Sequence, residues 1–157
     1  MRAARAGLLA LCLSSPLVAQ DRRAAPAPLD YEFFKTRVQP IFLAKRPGHA
    51  RCIACHGSGT PLRLQPLPPG ATTWSEADSR KNFEAVRRVV VPGDVKSRLL
   101  VHPLAEAAGG DFYHNGGKHW NSQDDAEWQT LKAWVLGRTT GGTGRSGGTG
   151  GRGGIAR

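Results

Sequence analysis

Cys52-Ile53-Ala54-Cys55-His56, running on into Gly57-Ser58-Gly59, is the stretch that decides how this chain folds. Two cysteines two residues apart, followed at once by a histidine, are spaced for covalent haem attachment. The chemistry explains the spacing. On one helical turn both thiols reach the two vinyl groups of one porphyrin. The next residue then lies under the iron, where an imidazole nitrogen serves as proximal ligand. Gly57 and Gly59 let the chain bend tightly around something flat. Rival uses of the motif fit less of the chain. A CxxC redox site expects a βαβ setting, and no segment reads as a strand. A zinc site needs four ligands, so Cys52 and Cys55 would have to recruit two histidines from elsewhere.

The remaining donors narrow the second axial ligand. Methionine is the usual partner of histidine in high-potential carriers. The sole methionine is Met1, which leaves with a leader peptide, so methionine ligation is excluded for a mature chain. Four histidines other than His56 remain: His49, His102, His114 and His119. His49 is too near Cys52 in sequence to reach the opposite face easily. His102 precedes Pro103 at a helix end. His119 stands beside Trp120. His114 sits in a loop where Gly116 and Gly117 let backbone approach a porphyrin closely. The expected ligand pair is His56 and His114, with His119 and His102 as runners-up.

Further outward, the chain divides by composition. Residues 1–20 read as a secretory leader: Arg2 and Arg5 come first, then a short apolar run from Ala6 to Val18. Export would suit haem attachment, which needs an oxidising compartment, and points to a periplasmic or secreted bacterial protein. Residues 21–29 are an Ala/Pro-rich linker, and 30–137 the folded unit. Residues 138–157 hold glycine, threonine, serine and arginine with little else, and are expected to stay disordered. The formal charge is +10, but removing the two arginines of the leader and the four of the tail leaves +4 for residues 21–137. Nucleic acid is a poor partner for such scattered charge, and redox partner proteins are the natural expectation. No stretch is long and apolar enough for a transmembrane helix. With Cys12 in the leader, no cysteine is spare for a disulfide. A buried cofactor would then supply stability that a small core lacks.

The folded unit reads as all-α. Asp30 caps a helix running from Tyr31 toward Arg46, with Tyr31, Phe34, Val38, Ile41 and Phe42 at helical spacing. Pro40 should kink or interrupt it. Ser75 and Asp78 open a helix from Glu76 to about Val91. Asp94 or Ser97 caps a short helix with Leu99 and Leu100. Ser122 and Asp125 cap a last helix from Gln123 to Leu136, stopped by Gly137. Leu62, Leu64 and Leu67 alternate in a proline-rich loop and could cover a cofactor face. Phe34, Ile41, Phe42, Leu62, Leu64, Phe83, Leu99 and Trp128 are the expected apolar wall. Arg51, Arg63, Lys118 and Trp120 are candidates to bond the propionates.

On these residues the chain resembles class I cytochrome c. Val38-Gln39-Pro40-Ile41-Phe42 before the CxxCH motif looks like that family's first helix and haem turn, and Trp128 to Trp134 like its last helix. The chain is more closely similar to the cytochrome c-like domains common in planctomycete and acidobacterial proteins. They share a PGxxxSxLL segment, here Pro92-Gly93-Asp94 with Ser97, Leu99 and Leu100. They also share an HxGGK-like loop, here His114-Asn115-Gly116-Gly117-Lys118, followed by Leu131 and Trp134. The resemblance covers Tyr31 to Leu136. It implies a small helical domain around one haem c, His114 as axial ligand, and a one-electron carrier rather than an enzyme. The chain departs from ordinary class I domains in the longer stretch Lys45 to Arg51 and in lacking the methionine-bearing loop. Two other functions stay open: a five-coordinate haem that binds a small ligand, and a structural or docking haem module.

Overall fold

A computed structural model of the protein describes residues 25–141. The expected leader at 1–20, residues 21–24 of the expected linker and residues 142–157 of the expected tail lie outside the described residues. Within them the secondary structure is helical, and no strand forms; Leu104 and Trp120 make an isolated bridge. No helix among the described residues is long and apolar enough to cross a membrane.

The chain enters its first helix at Asp30, whose carboxylate accepts the Phe33 amide at 2.5 Å. The helix has three parts: α1 (Tyr31–Phe33), a π turn (Phe34–Val38) and α2 (Gln39–Leu43). Pro40 does not break it. The Gln39 amide reaches back five residues to the Phe34 carbonyl, and Pro40 falls in the first turn of α2, where a missing N–H costs little. The wider turn absorbs the proline that a regular α-helix would have rejected. The helix ends at Leu43 rather than Arg46. Arg46 folds back so that its Nη2 donates to the Ile41 carbonyl at 3.1 Å.

α3 (Cys52–His56) carries the motif. α4 (Glu76–Val86) opens at Ser75, whose hydroxyl accepts the Asp78 amide at 3.1 Å. It continues as a single 3₁₀ turn, Arg87–Val89, and so stops short of Val91. α5 (Arg98–Val101) follows Ser97, but Ser97 does not cap it. Its hydroxyl instead bonds both the amide and the carbonyl of Val91, at 2.9 Å each, closing the turn before the helix. α6 (Ala126–Val135) starts later than the sequence predicts, because Asp125 alone caps it, accepting from Glu127 and Trp128. Ser122 bonds the Asp124 amide instead. Gly137 takes the left-handed conformation (φ +85°) just past the end of α6.

The core lies between the first helix, α4 and α6. Phe34, fully buried, meets the rings of Phe83 and Trp134 at centroid distances of 5.4 and 5.3 Å. The two buried tryptophans of α6 also bond backbone: Trp134 Nε1 donates to Asp30 O at 2.8 Å and Trp128 Nε1 to Leu100 O at 3.1 Å. These bonds anchor α6 to the start of the first helix and to α5, since an indole buried without a partner would be costly.

Candidate functional site

A cavity of about 300 Å³ opens on the side of this core. Its walls come from the end of the first helix (Phe42), α3 (Cys52, Cys55, His56), the loop after it (Thr60, Pro61, Leu62), α5 and its exit (Arg98, Leu99, His102, Pro103), and the 113–120 segment. Both motif cysteines and His56 therefore face one space. Cys52 is half-buried and Cys55 exposed, and both are free thiols. Burial pushes the Cys52 thiol up, against the opposing pull of Arg46.

His56 is oriented from behind. Its Nδ1 donates to the Leu62 carbonyl at 2.9 Å, with the Thr60 hydroxyl 3.0 Å away. A carbonyl only accepts, so Nδ1 carries a proton, which in the neutral ring leaves the lone pair on Nε2. His114 repeats the arrangement, donating from Nδ1 to the Gly117 carbonyl at 2.5 Å. A backbone carbonyl behind each ring is the usual support for a metal-ligating imidazole. The two rings lie 6.3 Å apart, centroid to centroid, with planes 17° from parallel. The stacked rings leave room for a group between them, and that separation is compatible with two imidazoles each bonded at about 2 Å to one metal ion. Burial holds His114 below the usual histidine range, favouring the neutral form a metal requires.

The other histidines crowd the same wall. His102 packs edge-on against His114 at 4.9 Å, and its Nδ1 bonds the Asp111 carboxylate at 2.8 Å. His119 lies 5.7 Å from His114, and its Nδ1 is buried without a partner. Burial, with help from Arg46 and His49, pushes the His119 pKa down to about 4. His49 lies tilted against His119 at 4.9 Å but does not line the cavity. The structure thus brings His56, His102, His114 and His119 to one space and leaves His49 behind it. Among the described residues, no group of three or more His, Cys, Asp and Glu side chains converges to hold a metal ion unaided, the arrangement that a bare zinc site needs.

Comparison with protein-family models, with curated proteins and with solved structures found no match. The site must be judged on its own residues. Paired thiols, a carbonyl-backed imidazole on each side and an apolar wall fit a covalently held haem.

Several expected roles change. Of the predicted wall, Phe42, Leu62 and Leu99 line the cavity. Phe34, Ile41, Leu64 and Trp128 are instead buried in the core, and Phe83 and Leu67 pack against it. Phe34 and Phe83 pack edge to face at 5.4 Å within the core, away from the site. Trp120 lines the cavity, but its Nε1 donates to Glu127 at 3.2 Å, and Lys118 is engaged by backbone. Arg63 is exposed and outside the lining, whereas Arg51 and Arg98 are in it. Sequence reading missed Arg98, Tyr113 and the His102–Asp111 pair. The nine-residue separation of His102 and Asp111 across a loop gave no periodic signal. Arg98 was hidden because it opens α5, a helix read only for its leucines.

Proposed function

We propose that this chain is an exported, bacterial monohaem c-type cytochrome that passes single electrons between redox partner proteins. One observation carries the reading: the Cys52–Cys55–His56 turn and His114 line one cavity, with the His56 and His114 rings stacked 6.3 Å apart, room for a group between them. When bound, the haem supplies a one-electron iron couple. The protein's own residues do the rest. Cys52 and Cys55 would fix the group by thioether bonds. His56 and His114 would hold the iron, each ring braced by a backbone carbonyl at Nδ1. Phe42, Leu62 and Leu99 would give the bound group an apolar wall. Arg51 and Arg98 are the arginines of the lining, and guanidinium groups there suit carboxylates.

Mass spectrometry of protein exported from a host able to mature c-type haem is expected to show the chain plus one haem. Bare apoprotein would end the proposal. His114→Ala is expected to shift the ferric spectrum from low toward high spin. A shift on His119→Ala or His102→Ala alone would move the ligand to that residue.

The His102–Asp111 pair favours a second reading, an iron open on one side beside a hydrogen-bonded acid–base couple. Carbon monoxide separates the two. Fast binding to ferrous wild-type protein would support the open iron, and slow binding the closed one.

A further inference from the structure

We propose that Lys118 is the positioning residue that keeps the His114 loop closed over the cavity. The proposal rests on the reading of His114 as an iron ligand. His114 lies between Asp111 and Lys118 in a loop whose tip has little to hold it. Phe112 is 84 % exposed and Tyr113 56 %, so apolar burial does not anchor the tip. The neck of the loop is held by polar contacts instead. On the incoming side, the Asp111 amide donates to Val101 O at 2.9 Å and its carboxylate accepts from His102. On the outgoing side, the His119 amide donates to Pro103 O at 2.8 Å. Lys118 joins the two sides. Its Nζ donates to the carbonyl of His102, at 3.0 Å, and to the carbonyl of Asp111. The ammonium is part-buried between them, where a charge-assisted bond is worth more than at an open surface. One cation thus ties the end of α5 to both ends of the loop that presents His114.

Removing the ammonium is expected to loosen His114 and to leave the covalent attachment untouched. The test uses the exported haem-bearing protein and its ferrous carbon monoxide association rate, together with the ferric spin state. His114→Ala sets the rate of a fully open iron. Lys118→Met, which keeps the stem and loses the donors, is expected to bind carbon monoxide about tenfold faster than wild type and to gain a high-spin fraction. Lys96→Met, at an exposed lysine, is expected to match wild type. A Lys118→Met rate within twofold of wild type, with His114→Ala clearly faster, overturns the role of Lys118 while the ligand assignment stands. Equal rates for wild type and His114→Ala overturn the ligand assignment itself. Should Lys118→Met yield no haem-bearing protein, Lys118→Gln decides. Its amide keeps one of the two contacts, so a few-fold acceleration supports the proposal and an unchanged rate overturns it.

Discussion

At the level of single residues, the site depends on where side chains have no room to change. Gly110 is the clearest case. A Cβ built there would lie 1.9 Å from the Leu104 carbonyl oxygen and 2.9 Å from that of Val101, both backbone. The Gly110 amide also donates to Ala105 O at 3.0 Å, just before the His114 loop begins. Gly110→Ala is therefore expected to cost about 2–3 kcal/mol, read as a lowered urea midpoint with unchanged slope. Such a requirement could not be seen in the sequence, where Gly109 and Gly110 look interchangeable. Only the fold shows that one turns the chain (Gly109, φ +95°) and the other makes room for it. The CxxCH motif was the opposite case. Its residue types and spacing state their chemistry without neighbours, and the cavity forms where they stand. The expectation of His114 opposite His56 came from the glycines beside it, and the two rings lie 6.3 Å apart. The Nδ1 partners of each ring were not legible, because they are carbonyls, which every residue has.

Among the helices, the informative departures come from hydrogen bonds that pattern reading does not price. Proline at position 40 signals a break, and it would be one in a regular helix. The π turn ahead of it removes the conflict. Ser97 has the chemistry of a helix cap, yet its hydroxyl is used twice on Val91. The stretch from Lys45 to Arg51 reads as a mere insertion, but Arg46 makes it a brace. Its Nε donates to Glu127 Oε2 at 2.6 Å, and its guanidinium lies 5.4 Å from the Trp120 ring centroid. The Arg46 side chain is 11 % exposed and that of Glu127 33 %. A fully buried pair broken on one side costs about 3–5 kcal/mol. With one partner partly wet, Arg46→Met is expected to cost nearer 2 kcal/mol, measured by chemical denaturation. Glu127→Gln, which keeps an acceptor for Trp120, is expected to cost less.

For the molecule as a whole, the open cavity sets the energetics. A closed dry void of that volume would cost about 7 kcal/mol at the rate found for engineered core cavities. That is the scale of an entire small domain's stability, about 5–15 kcal/mol. Solvent entering at Cys55 and Arg51 reduces the penalty, yet the domain has no disulfide among its described residues to offset it. On the proposed function, protein made without haem attachment is expected to melt at least 10 °C below the haem-bearing form, by calorimetry.

The bond from Trp134 Nε1 to Asp30 O has a consequence for how this domain can be built into other chains. Ala27 and Gly137 are close enough that a Cβ on the glycine would touch the alanine's at 2.8 Å. Entry and exit therefore share one corner, far in sequence from the solvent-facing turn at Gly70, which has φ +75° and open space around it. A circular permutant that begins at Ala71, ends at Gly70 and joins residue 137 to residue 27 through a short glycine linker is expected to fold and keep the same far-ultraviolet spectrum. The same corner would let the unit be spliced as a cassette into a host protein's surface loop, with both junctions side by side.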